Sequence, residues 1–233
     1  MTVPINVYNE KSLHAALKAW YAGATGQLEV PVDGYVVDVV RGHQLIEVQT
    51  QSFSSIKDKL RALSQAYHVM LVFPIARETW LVKAPRPGAI DRKPRRRKSP
   101  KRGRVEALFV ELVSFPELIW RSTFSLEVAF TREEELRHYD PRRGWRNRGW
   151  VTDDRLLLEV VETRRFSTAA DFAPLLPVAL PATFTTADLA DALGRSRRLA
   201  QKMAYCLREM AVIEAVGYRR RAILYQRSPR YAG

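Results

Sequence analysis

Two acidic residues inside apolar, alternating segments constrain this chain more than any other feature of its sequence. Asp38 lies within residues 35–40, and Glu47 lies within residues 44–50. The alternation predicts two β-strands, and Gly42 between them can adopt the positive φ of a tight turn. A buried carboxylate is costly unless it is paired or takes up a proton, and two facing carboxylates repel each other. A shared divalent cation removes both problems, because Mg²⁺ prefers oxygen ligands.

An amphipathic helix is predicted on either side of these strands. The first covers residues 11–22, and the second runs from Ser54 or Ser55 to Ala66. Their apolar stripes are Leu13, Ala16, Leu17 and Trp20 in the first helix and Ile56, Leu60 and Leu63 in the second. Strands are also predicted at residues 27–31, 68–74 and 78–83, and the continuous apolar run 68–74 indicates a strand buried on both faces. The order helix, three strands, helix, two strands predicts an α/β unit with one sheet.

This order of elements, with Asp on the second strand and Glu-x-Gln on the third, resembles the core of the PD-(D/E)XK nuclease superfamily. The resemblance covers residues 12–83 and implies the restriction endonuclease-like α-β-β-β-α-β fold. It also implies that Asp38, Glu47 and the Val48 carbonyl hold Mg²⁺ or Mn²⁺, with Glu29 as a further carboxylate. Glu29 has the alternative of being a solvent-facing edge residue. Glu10 is a weaker candidate of the same kind.

Gln49 stands where the superfamily usually has lysine. Glutamine can orient the attacking water, but it cannot supply positive charge to the transition state. In some similar nucleases a basic residue on the second helix replaces the strand lysine, and here the candidate is Lys57, in the first turn of that helix. The resemblance thus implies a catalytic set of Asp38, Glu47, Gln49 and Lys57. For Lys57 the alternative is a solvated surface lysine.

Composition favours a polyanionic partner. The 233 residues carry a formal net charge of +13 and a pI of about 10.2, which indicates nucleic acid first and an anionic membrane second.

The single cysteine, Cys206, excludes a disulfide framework and a cysteine zinc cluster. Together with the lack of a signal-peptide pattern, it leads us to expect a cytoplasmic protein. His14, His43, His68 and His138 lack the paired spacing of zinc ligands. No GxxxxGK loop indicates ATP use.

Residues 85–104 form a basic, proline-containing segment without apolar periodicity, which predicts a linker or arm. The residues expected to contact DNA phosphates there are Arg95, Arg96, Arg97, Lys98, Lys101 and Arg102. A solvated charge run or a localisation signal is the alternative. An α+β middle region is predicted for residues 105–180. Within it, Trp145 and Trp150 either stack on a base or pack at a hairpin end.

Residues 181–233 resemble a winged helix-turn-helix. A threonine-capped helix ends at Gly194, Ser196 begins a second helix reaching Met210, and two short strands flank a basic turn. The resemblance implies DNA contacts from the second helix and from the wing. These contacts are Arg195, Arg197, Arg198, Gln201 and Lys202 in the helix region and Arg219, Arg220 and Arg221 in the wing. Winged helices also serve as protein-interaction modules.

Four regions are therefore predicted: a nuclease-like domain at 1–84, a basic arm at 85–104, a middle region at 105–180 and a winged helix at 181–233. The leading hypothesis is a Mg²⁺-dependent nuclease that hydrolyses DNA, in duplex form, with a homodimer as one arrangement. The second is a catalytically inactive, nuclease-like DNA-binding regulator or repair accessory. An RNA-directed or defence-system component is a third. Membrane association is not expected.

Overall fold

A computed structural model describes residues 12–86 and 93–231, and it has a mixed α/β architecture. The helices are α1 (Ser12–Ala22), α2 (Lys57–Leu63), α3 (Phe109–Leu112), α4 (Thr186–Leu193) and α5 (Arg197–Glu209). The strands are β1 (Gln27–Val32), β2 (Tyr35–Arg41), β3 (Gln44–Val48), β4 (His68–Lys83), β5 (Arg95–Lys98), β6 (Phe124–Tyr139), β7 (Trp150–Phe166), β8 (Thr183–Phe184), β9 (Ile213–Arg219) and β10 (Ala222–Arg227). Short 3₁₀ segments cover Phe53–Ile56, Val105–Leu108, Pro116–Trp120, Trp145–Asn147, Ala169–Leu175 and Pro229–Tyr231.

A large mixed sheet organises the chain. Its strand order is β1-β2-β3-β4-β6-β7, and β5 pairs with the second half of β4, beyond the part of β4 that pairs with β3. The β1–β2, β2–β3 and β6–β7 pairs are antiparallel, whereas β3–β4 and β4–β6 are parallel. As the apolar run predicted, β4 is central, and Val69, Met70, Leu71 and Val72 are all buried.

Hydrophobic clusters lie on the two faces of the sheet. One contains Leu13, Leu17 and Tyr21 of α1 with Ile46, Val72 and Ala129 of the strands. The other contains Leu60 and Leu63 of α2 with Leu71 and Leu126. The prediction that Trp20 belongs to the buried stripe of α1 is wrong. Trp20 is 50% exposed, because the buried face of α1 follows the i, i+4, i+8 spacing of Leu13, Leu17 and Tyr21.

The sheet extends further into charged sequence than the pattern predicted. The two strands expected at 68–74 and 78–83 are one strand with an irregularity near Ala76, and β6 continues through the charged residues up to Tyr139. The basic segment also contains a strand, since Arg95–Lys98 pair with β4. Main-chain pairing does not need apolar side chains, and ion pairs of Arg96 with Glu134 (2.5 Å) and Lys98 with Glu78 (2.6 Å) accompany it.

The C-terminal part contains α4, α5 and a three-stranded sheet of order β8-β10-β9. The Thr185 side chain caps α4 by accepting hydrogen bonds from the backbone amides of Ala187 and Asp188. One buried cluster runs continuously from the large sheet through α3 to α4 and α5. None of the helices in the described part of the chain is long and apolar enough to cross a membrane.

Candidate functional site

Strands β2 and β3 bring Asp38 and Glu47 together. Their antiparallel register ends at the pair of Val39 with Ile46, and Asp38 and Glu47 are the residues immediately beyond that pair on the two strands. The Asp38 amide donates a hydrogen bond to Glu47 Oε1 at 3.4 Å, and the Val48 amide donates to Asp38 Oδ2 at 2.9 Å. The two acids named from the sequence are thus adjacent, and the backbone of β3 fixes the Asp38 carboxylate.

The two carboxylates differ in their electrostatics. Burial, and then the charge of Asp38, raise the pKa of Glu47 from 4.5 to about 7, although Lys59 opposes this shift. Burial also acts to raise the pKa of Asp38, but hydrogen bonds from His14 and from the Val48 amide outweigh it, so this pKa lies below its usual value. Near neutral pH, Asp38 is therefore ionised, while Glu47 can hold or release a proton.

The lysine of α2 that contacts Glu47 is Lys59, two positions after Lys57, the lysine named from the sequence. Lys59 Nζ lies 2.6 Å from Glu47 Oε1 and donates to the Val36 carbonyl at 2.6 Å. The spacing of residues in the sequence could have indicated Lys59. Positions 56, 59, 60 and 63 follow the i, i+3, i+4, i+7 spacing of the buried stripe of α2, and Lys57 lies off that stripe.

His14 is a site residue that the sequence did not single out. Its Nε2 donates to the Val48 carbonyl at 2.8 Å and lies 3.3 Å from Asp38 Oδ2. Those two oxygens are among the ligands that the nuclease resemblance assigned to a metal ion. His14 shares a face of α1 with Leu17 and Lys18 through i+3 and i+4 spacing, a pattern that could have indicated its inward position.

Other predicted residues are engaged elsewhere. The Gln49 amide donates to the Ser52 carbonyl at 3.2 Å and to Ser55 Oγ at 3.0 Å, so it holds the turn before α2. Glu29 is exposed and pairs at 2.8 Å with Lys18, which is itself buried. Glu10 lies outside the described residues.

The oxygen atoms of this region are of the kind that a hard divalent cation prefers: Asp38 Oδ2 and the Val48 carbonyl share the contact with His14, and Glu47 Oε1 lies 3.4 Å from the Asp38 amide nitrogen. Asp38, Glu47 and the Val48 carbonyl supply carboxylate and carbonyl oxygens, and Mg²⁺ in proteins is commonly held by one or two carboxylates together with water and substrate phosphate. Within residues 12–86 and 93–231, no group of three or more His, Cys, Asp or Glu side chains is arranged to hold a metal ion. A metal at this site would therefore depend on the two carboxylates and on main-chain oxygen.

The predicted phosphate contacts of the basic segment are exposed. Arg95, Arg96, Arg97, Lys98, Lys101 and Arg102 all present side chains to solvent. Some are held by acids, since Arg96 pairs with Glu134, and Lys98 shares Glu78 with Arg102, which lies 3.9 Å away. Trp150 packs edge-on against Tyr139 at the β6–β7 hairpin, with 5.6 Å between ring centroids, whereas Trp145 is 70% exposed.

The predicted C-terminal contacts divide into exposed and engaged residues. Arg197, Arg198, Gln201, Arg220 and Arg221 are exposed, and Arg195 is half-buried. Lys202 Nζ donates to the Val110 carbonyl at 2.6 Å, which ties α5 to α3. Arg219 pairs with Asp188 in the first turn of α4, so this wing residue is held by the helix next to it.

Comparison with known proteins identifies relatives without assigning an activity. A profile of the family described as "Domain of unknown function (DUF8091)" matches residues 11–167, which contain the whole large sheet. A protein of Treponema pallidum (strain Nichols), described as an uncharacterized protein, is 29% identical over 187 residues, covering 80% of this chain and 73% of its own length. No solved structure matches the chain.

Proposed function

Since the chain belongs to the DUF8091 family, a domain of unknown function, we propose from its own residues that it is a divalent-cation-dependent nuclease that hydrolyses DNA. The observation that carries this proposal is the adjacency of two acids, in which the Asp38 amide donates to Glu47 Oε1 at 3.4 Å and the Lys59 ammonium lies 2.6 Å from the same oxygen. The element order α1-β1-β2-β3-α2-β4, expected of a PD-(D/E)XK core, supports it. The exposed arginines of α5 support a DNA substrate and a winged-helix role for the C-terminal part.

In this proposal Asp38, Glu47 and the Val48 carbonyl would hold Mg²⁺ or Mn²⁺. When bound, the cation would supply Lewis-acid polarisation of the scissile phosphate and activation of the attacking water. Asp38 contributes a permanent negative charge at neutral pH, because its pKa lies below the usual value. Lys59 contributes the positive charge that Gln49 cannot supply to the transition state. His14 orients the Val48 carbonyl through its hydrogen bond.

The test is cleavage of linear, supercoiled and single-stranded DNA in Mg²⁺ or Mn²⁺. Wild-type protein is compared with Asp38→Asn and Glu47→Gln, and Glu117→Gln is the matched control because Glu117 is an exposed acid paired with Arg61. Cleavage by the wild type and Glu117→Gln, lost in the two site variants, supports the proposal. Equal cleavage by all four proteins would come from a contaminant and would contradict it.

A second candidate is a DNA-binding protein that does not cleave. The observation in its favour is that side chains of this chain already engage the site: Lys59 neutralises Glu47, and His14 contacts Asp38. Duplex binding without cleavage in the same assay would favour this candidate. A homodimer and a cytoplasmic location stay predictions from the sequence.

A further inference from the structure

A cavity of about 780 Å³ lies beside the C-terminal end of β4 and is lined by residues of β4, β5 and β7 and by the residues that follow β4. Its lining includes Lys83, Arg86, Arg95, Arg96, Arg97 and Trp150. Lys83 ends β4, and the parallel register pairs Glu47 with Leu71 of the same strand. At about 3.3 Å per residue, the stretch of β4 between Leu71 and Lys83 extends up to roughly 40 Å. The cavity is therefore remote from the Asp38–Glu47 pair.

Strand pairing brings like charges together at this cavity. Lys83 lies opposite Arg95 on β5 and opposite Arg137 on β6, which produces a row of three cations across adjacent strands. Like charges directly opposite each other destabilise a sheet. Two glutamates offset part of this charge, since Glu135 holds Arg137 at 2.8 Å and Glu134 holds Arg96.

Aromatic rings contact Lys83 and Arg86 without neutralising them. Lys83 Nζ lies 4.2 Å from the centroid of the Trp150 ring, and Arg86 Cζ lies 4.4 Å from that of Tyr139. The pKa of Lys83 is lowered, first by burial and then by four arginines, namely Arg97, Arg137, Arg86 and Arg148. A bound anion would relieve the repulsion among these groups.

We propose that this cavity binds a phosphate group of a nucleic-acid strand, at a position separate from the Asp38–Glu47 pair. Guanidinium groups match phosphate geometry through paired N–H donors, and several converge here. The choice of nucleic acid as the polyanion rests on the proposed function, but phosphate binding at this cavity does not depend on cleavage. The net charge of +13 favours a polyanion over a neutral ligand.

The test is the affinity for a labelled DNA duplex of about three helical turns, measured by fluorescence anisotropy without divalent cations at several salt concentrations. The double variant Arg86→Ala/Arg97→Ala, called the cavity variant, is compared with Arg61→Ala/Arg77→Ala. This control removes the same charge from two half-buried arginines that are paired with Glu117 and Glu162. The cavity variant should bind more weakly and lower the slope of log K against log salt by about 1 for each phosphate that the protein no longer binds. The control should keep nearly the wild-type slope.

Equal losses in both double variants would show an effect of bulk charge alone and would overturn the proposal, as would an unchanged affinity in the cavity variant. Arg97→Gln alone, at an exposed strand position, provides a milder variant, with thermal unfolding as the folding check. Phosphatidylserine vesicles and polyglutamate are the competing probes. Loss of binding to either one by the cavity variant, with duplex binding intact, would also overturn the proposal. The binding assay contains no divalent cation, so its result does not depend on whether the protein cleaves DNA.

Discussion

Glu47 shows what it costs to bury an acid beside another acid. Its side chain is 4% exposed, and the charges that act on it are those of Asp38 and Lys59. The ion pair with Lys59 does not return the pKa to its usual value, because burial and Asp38 dominate. The folded protein therefore holds a proton on Glu47 more tightly than the unfolded chain does.

The raised pKa of Glu47 makes the free energy of unfolding depend on pH. A carboxyl whose pKa is raised from 4.5 to about 7 contributes stability that is fully present below about pH 4.5 and lost as pH rises through 7. Glutamine cannot ionise, so Glu47→Gln should not lose this stability as the pH rises. We expect its free energy of unfolding, relative to wild type, to increase between pH 5 and pH 8 by up to the order of 3 kcal/mol. Urea unfolding at the two pH values measures it, and Glu117→Gln, as control, should show no comparable increase.

Lys59 and Lys57 form a matched pair for testing charge at the site, because they lie two positions apart on the same helix. Lys59→Ala should lower kcat/KM for DNA cleavage by roughly 10²-fold, as expected for removal of one electrostatic contact to the transition state. Lys57→Ala should leave it close to the wild-type value. The reverse ranking of the two variants would contradict the role given to Lys59.

For individual residues, the sequence predicts which side chains belong to the site better than it predicts the contacts that they make. Asp38 and Glu47 could be named because acids are rare in apolar strands. Lys59 could have been named from the stripe of α2. His14 was harder, because its contacts join α1 to β2 and β3, and helical periodicity alone does not say which strand a face meets. The Gln49 contacts depend on the turn at Ser52, whose conformation has no clear sequence pattern.

Among the elements, α5 combines a buried face with an exposed basic one. Ala200, Met203, Cys206 and Leu207 are buried, whereas Arg197 and Arg198 are exposed. Helical periodicity and the Ser196 cap were sufficient to predict this helix. Strand β5 could not be predicted in the same way. Its four side chains are all basic, and its existence depends on pairing with the distant end of β4.

The exposed arginines at the start of α5 and the half-buried Lys202 should have different effects in a binding experiment. Arg197→Ala and Arg198→Ala should each weaken duplex binding and lower the salt slope by about 1. Lys202→Ala should act on stability, because Lys202 Nζ donates to the Val110 carbonyl. Anisotropy titrations and thermal melts of the three variants distinguish the effects. Equal affinity losses in all three would contradict a DNA-facing surface at the start of α5.

In the whole molecule, one buried cluster joins the large sheet to the C-terminal helices, and the Trp120 indole N–H reinforces this junction by donating to the Glu209 carbonyl at 3.1 Å. Composition and motifs predicted four separate regions along the chain. Such a division identifies segments but does not show which apolar faces meet, since the contacts of α5 with α3 join residues far apart in the chain.

Shared burial predicts cooperative unfolding of the described parts. Scanning calorimetry should show one transition for the full chain. Met203→Ala, at a fully buried position of α5, should cost about 2–5 kcal/mol and lower the temperature of that single transition. Two separated transitions, of which only one responds to Met203→Ala, would contradict a common core.

The most direct test of the account is calorimetric titration of the intact protein with Mn²⁺ near neutral pH. We expect a single bound cation per chain, with binding lost or strongly weakened in Asp38→Asn and in Glu47→Gln and retained in Glu117→Gln. No binding by the wild type, or binding unchanged in both site variants, would contradict a shared cation site between β2 and β3.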